Sequence, residues 1–172
     1  MKKLFFVLIL LAIMPFVSLA QVPSDAFFQK YTNQEGVDIT SIAGFMLKPF
    51  ADSYTSSLTL NDADKKKLTE YINSISSITL AQAPSGSAKA KELVSEIDKI
   101  SKNKKYTELF STKSNGATIK ILSHQDGNNI TEILGFGGDG KESMAVSLQG
   151  TFTEAMIKDV LSRAVEMMNQ NK

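Results

Sequence analysis

Residues 135–143 read GFGGDGKES, and two phosphate-binding patterns overlap there. Gly135, Gly137 and Gly140 fit G-x-G-x-x-G, while Gly135, Gly140 and Lys141 fit a P-loop in which Glu142 replaces the closing Ser or Thr. Either pattern binds phosphate only where the loop feeds a helix N-terminus, whose free N–H groups and dipole meet the anion. Here Met144, Val146 and Leu148 alternate with Ser143, Ala145 and Ser147, so a strand is expected beyond Lys141. Glu142 would repel phosphate, and Asp139-Gly140 suits a hairpin turn. The stretch reads as a turn, and no nucleotide or other cofactor site is expected.

His124 is the only histidine and the chain has no cysteine. A general base needs a nucleophile and an orienting acid beside it, and Asp126 lies two residues away across a tight turn. One His without Cys offers no ordinary transition-metal set. No G-x-S-x-G elbow is present. Asn61-Asp62-Ala63-Asp64 begins like a calcium loop, but Lys66 stands where the glycine belongs and Ile72 where the closing glutamate belongs. Helix capping explains that stretch better. No catalytic, metal or cofactor residues are therefore assigned. Asn129-Ile130-Thr131 is a glycosylation sequon of relevance only in a eukaryotic host. Met46, Met144, Met156, Met167 and Met168 serve as core filler or line a greasy groove. A gap between helices and sheet would be lined by Phe45, Met46, Tyr71 and Met156, the candidate ligand pocket.

The first residues, MKKLFFVLILLAIMPFVSLAQ, combine Lys2 and Lys3, an apolar run from Leu4 to Phe16, and small residues at Ser18 and Ala20. That pattern is a secretory signal peptide over residues 1–20, its apolar run shorter than the ~20 residues a bilayer span needs. No stable membrane span is expected after cleavage, and no cysteine is available for a lipid anchor. Localisation is expected to be periplasmic or extracellular. Cleavage removes two Lys and no acid, taking the formal charge from +1 to −1 (17 basic against 18 acidic residues). So balanced a chain shows no electrostatic footprint for nucleic acid. Without disulfides the fold must hold by packing, feasible for a single domain over residues 21–172.

Periodicity supplies the elements. Gly36–Ile42 alternates as a strand. Ala43–Phe50 reads as helix with an ending or kink near Pro49, and Ala51–Leu60 is unassigned. Asn61 or Asp62 caps a helix carrying Leu68, Tyr71, Ile72 and Ile75 at i, i+3, i+4, i+7. Ser76–Gln82 is a strand, and Leu93, Val94, Ile97 and Ile100 mark another helix. Tyr106, Leu109 and Phe110 suggest one more helical turn. From Ala117 the period becomes 2, giving three strands with an Asp-Gly turn signal at 126–127. Thr153 caps a last helix whose stripe of Ile157, Val160, Leu161, Ala164, Val165 and Met168 should pack on the sheet. The order predicts an α+β two-layer sandwich: about five mostly antiparallel strands with helices packed on one face. The other face would meet water with Thr79, Thr118, Lys120, Thr131, Ser147 and Gln149, Leu122 and Ile133 being exceptions.

Several of these segments together resemble a family of exported, mainly Bacteroidetes proteins known only as a domain of unknown function, DUF4252. The residues that carry the likeness are Phe28–Tyr31, Gly36-Val37, Ser41-Ile42, Tyr106–Leu109 (YTEL), Ile119–Leu134 (IKILSHQDGNNITEIL) and Ser147–Thr151 (SLQGT). The resemblance spans roughly residues 25–165. It implies envelope localisation and an α+β fold, and it brings no activity and no functional residues. Some relatives carry a lipoprotein cysteine that this chain lacks. The expectation is a non-enzymatic envelope module binding a protein partner. The alternatives are a carrier of a small apolar ligand or lipid and, further off, a hydrolase using His124.

Overall fold

The computed structural model describes residues 22–57, 59–84, 86–114, 117–138 and 143–170. The expected signal segment, the Asp139-Gly140 turn with Lys141 and Glu142, and the side chains of Ala164, Val165 and Met168 lie outside the described residues. The elements run α1 (Asp25–Tyr31), β1 (Asp38–Ala43), α2 (Gly44–Ser57), α3 (Asp62–Asn73), β2 (Ile75–Ala83), α4 (Ala88–Ser101), β3 (Tyr106–Ser114), β4 (Ala117–Asp126), β5 (Asn129–Gly138), β6 (Ser143–Phe152) and α5 (Glu154–Gln170). The strands form one sheet in the order β1-β2-β6-β5-β4-β3, antiparallel throughout.

Local chemistry explains the helix starts. Asn61 Oδ1 accepts from the Asp64 N–H at 2.9 Å while Asn61 Nδ2 donates to Asp64 Oδ2 at 2.7 Å, so the would-be calcium loop is a cap. Ser87 Oγ accepts from the Ala90 N–H at 3.0 Å, and Thr153 Oγ1 from the Met156 N–H at 3.2 Å. α2 continues through Pro49 to Ser57, further than the expected stop and across most of the unassigned stretch. Thr55 Oγ1 donates to the Ala51 carbonyl at 2.8 Å within that helix.

The α+β class and the antiparallel sheet are as expected, with six strands rather than five. The sixth is β3, which replaces the expected helical turn at Tyr106, Leu109 and Phe110. A bulge between Glu108 and Phe110 inserts a residue in this strand. That insertion puts apolar residues at i, i+3 and i+4, the spacing of a helix, on a chain that is extended.

The helices divide between the two faces of the sheet instead of gathering on one. On the first face Ala81, Ala83, Leu122, Leu134, Phe136 and Ala145 pack with Phe27, Phe28 and Tyr31 of α1 and with Ala90, Leu93 and Ile97 of α4. Leu93, Leu122 and Leu134 are wholly buried there, each contributing about 1.5–3 kcal/mol of transfer free energy. On the second face Ile130, Phe152 and Ile157 form a smaller cluster, joined by the half-buried Ile75, Leu109, Ile133, Leu148, Met156 and Leu161. Ile133 and Leu134 are consecutive strand residues and so point to opposite faces.

The face expected to meet water is therefore the first, better covered one. Lys120 lies there and reaches Asp98 Oδ1 and Ser101 Oγ of α4, both at 3.2 Å. Gln149 Nε2 donates to Asp25 Oδ1 of α1 at 2.8 Å, and Ser147 is fully buried. Small side chains at Ala81, Ala83, Ser143, Ala145 and Ser147 let α1 and α4 settle close to the strands. The Ser143 hydroxyl donates to the Ala90 carbonyl at 2.8 Å. The second face carries the long aliphatic residues, and its cover is looser: α3 has no fully buried side chain.

Candidate functional site

Strand alternation places Ile121, Ile133, Val146 and Leu148 on the second face, with Gly135 between them. These residues form the floor of an open groove of about 360 Å³. Leu68, Tyr71 and Ile72 on one side of α3 make one wall, because the i, i+3, i+4 spacing aligns them. Met156, Ile157, Val160 and Leu161 of α5 make the other by the same rule. Ile75, Leu109 and Phe152 complete the lining. Tyr71 carries the one polar side-chain group of this lining, and its hydroxyl donates to Asp159 Oδ2 at 2.9 Å. Val160, expected to pack on the sheet, is 49% exposed at this site.

A cavity of this size and composition could be filled by hydrocarbon and offers little scope for polar selection. Of the four residues expected to line a pocket, Tyr71 and Met156 stand on facing walls of the groove. Phe45 and Met46 do not join them: they sit at the start of α2 with 73% and 52% of their surface exposed. The sheet residues of the floor are an addition to that expectation.

A second cluster is polar and lies on the first face. Glu132 is fully buried and accepts hydrogen bonds from the hydroxyls of Ser24, of Ser147 at 2.5 Å and of Tyr106 at 2.6 Å. Ser24 precedes α1 but gives its side chain to Glu132 rather than to its own helix end. The carboxylate thus joins α1, β3, β5 and β6. Burial, followed by the nearby Glu132 charge, raises the Tyr106 phenol above the ordinary tyrosine range, so it remains a donor. Ser24, Glu132 and Ser147 are shut off from solvent, which suits a structural tie better than a reaction centre. The sequence does carry a signal for it: Glu132 alternates in phase with Leu134 and Phe136, a charge on the apolar side of a strand.

The remaining candidates are not brought into any catalytic arrangement. His124 Nδ1 contacts the Lys105 carbonyl at 2.9 Å and its ring lies 5.8 Å from that of Tyr106, while Asp126 pairs with Asn129 at the hairpin end. Ser143 to Phe152 is strand, paired with β5 through Gly138↔Ser143, so the glycine-rich stretch joins strand to strand and feeds no helix. Among the described residues no group of three or more His, Cys, Asp or Glu could hold a metal ion. Among them, too, no helix is long and apolar enough to cross a membrane.

Residues 31–160 match the model of a family described as a domain of unknown function, DUF4252, and the chain belongs to that family. No curated protein and no solved structure matches it.

Proposed function

We propose that this member of the DUF4252 family is an exported, non-enzymatic binding module whose second-face groove takes a small apolar ligand such as a lipid acyl chain. The groove is the single observation that carries this reading: about 360 Å³ of open space with a lining that is apolar apart from one tyrosine. Burying hydrocarbon there is favourable by about 0.8 kcal/mol per methylene, and the aliphatic floor is left half-covered by the chain's own helices. The N-terminal pattern of Lys2, Lys3 and the apolar run to Phe16 supports export. Among the described residues no assembled nucleophile, base and acid supports an enzymatic reading.

N-phenyl-1-naphthylamine, an uncharged probe that fluoresces in apolar surroundings, tests the groove directly. The protein is expected to bind it saturably at one site. Val160→Trp, which adds bulk on the α5 wall at a half-exposed position, should weaken binding at least about tenfold with the melting temperature preserved. Equal affinity in the two proteins would remove the groove from consideration.

A second reading has its own observation. Phe45 and Met46 project outward from α2 and offer an exposed apolar pair suited to a protein partner. Phe45→Ser with Met46→Ser should leave probe binding unchanged if that surface serves a partner and the groove serves the ligand.

A further inference from the structure

We infer that the Tyr71–Asp159 hydrogen bond is a latch between two jaws, α3 and α5, and that ligand enters and leaves the groove when it opens. This rests on the ligand-binding reading of the groove and concerns how the same site is regulated. Tyr71 Oη donates to Asp159 Oδ2 at 2.9 Å across 88 residues of sequence, from one wall of the groove to the other. Over their described side chains the two helices are held to the sheet lightly compared with α4. α3 buries no side chain fully, whereas α4 buries Ala90, Leu93 and Ile97. In α5 Ile157 is buried, while Val160, one turn on, is 49% exposed.

Two lightly seated helices over an aliphatic floor can part without unfolding the sheet, because the main core lies on the opposite face under α1 and α4. A hydrogen bond to a carboxylate is stronger than one between neutral groups, so it biases such an equilibrium toward the closed form. The tyrosine ring lines the groove whether or not its hydroxyl is bonded, which separates the latch from the ligand contact. If bound and empty proteins share the closed form, loosening the latch lowers the opening barrier equally for entry and exit. Rates then change while the equilibrium constant does not.

Asp159→Ala removes the acceptor and leaves every residue that lines the groove in place. In stopped-flow mixing with N-phenyl-1-naphthylamine, association and dissociation should both accelerate, by about tenfold, with the dissociation constant unchanged. Hydrogen exchange on the ligand-free protein gives the second readout: amides of α3 and α5 should exchange faster while those of β4 and β5 stay as they were. If the wild-type protein binds the probe and the variant alters neither rates nor exchange, the latch is overturned and the ligand reading survives. If the wild type binds no probe, the ligand reading falls. Faster exchange confined to α3 and α5 would then still support the latch, and unchanged exchange would overturn it too.

Discussion

Gly150→Ala is expected to leave the protein unfolded or to destabilise it by about 4 kcal/mol or more. A Cβ at Gly150 would lie 2.2 Å from the Ser74 carbonyl oxygen and 2.9 Å from Phe152 Cζ. The aromatic carbon could rotate aside, but the carbonyl is backbone and is held where it is by the Thr151 N–H at 3.1 Å. The same turn is pressed from its other side. A Cβ at Gly44 would stand 2.1 Å from the Ile75 carbonyl oxygen and 2.8 Å from that of Ser76. The passage from α3 into β2 is thus clasped between two residues without side chains, and Gly44→Ala should be comparably damaging. Gly137, on the same sheet, is the control: a Cβ added there would meet nothing within 4 Å, so Gly137→Ala should fold normally. Urea denaturation of the three variants separates them, and a Gly150→Ala protein as stable as the control would contradict the close approach. Because this junction also places α3 over the second face, its loss would remove one wall of the groove.

Glu132→Ala should cost about 3–5 kcal/mol, read from urea denaturation. The substitution leaves three hydroxyl donors without their acceptor, two of them on the fully buried Ser24 and Ser147, and it opens a hole between α1 and the sheet. Glu132→Gln retains an acceptor oxygen but brings an amide that must find its own partner, so a smaller loss of about 1–2 kcal/mol is expected. Since Ser24 ties the start of α1 to the carboxylate, the alanine variant should also become sensitive to proteolysis near residues 22–31. An alanine variant within about 1 kcal/mol of wild type would show that the cluster contributes little.

Strong local signals make most of the fold legible. The capping residues Asn61 and Thr153 mark helix starts where the structure has them. The Asp-Gly signal at 126–127 falls on the β4–β5 hairpin, where Gly127 takes φ +58°. Where periodicity misleads, the cause is shared: sheet bulges disturb the period on which strand reading depends. In β3 the extra residue gives Tyr106, Leu109 and Phe110 a helical spacing, and in β5 a shift between Ile130 and Glu132 leaves Ile130 in the second-face cluster although it alternates in phase with Glu132.

Face assignment fails for a different reason. Polar and small residues suggest a wet face, yet Ser147 and Glu132 satisfy one another in the interior, and Ala81 and Ala145 are small because helices lie close above them. Alternation distinguishes two faces of a strand but does not say which is covered by what. The groove is half visible in the sequence. Tyr71 and Met156 show on helical stripes, whereas Ile121, Ile133, Val146 and Leu148 read as ordinary core until the packing above them is known. Phe45 and Met46 mislead as pocket residues because apolar type alone does not set an inward direction.

Methyl NMR of Ile-, Leu- and Val-labelled protein, titrated with N-phenyl-1-naphthylamine, tests the groove most directly. The expected result is saturable shifts at Ile72, Ile121, Ile133, Val146, Leu148 and Leu161, with Leu93, Leu122 and Leu134 on the opposite face unmoved. Shifts centred on those three leucines, or none at saturating probe, would contradict a binding groove on the second face.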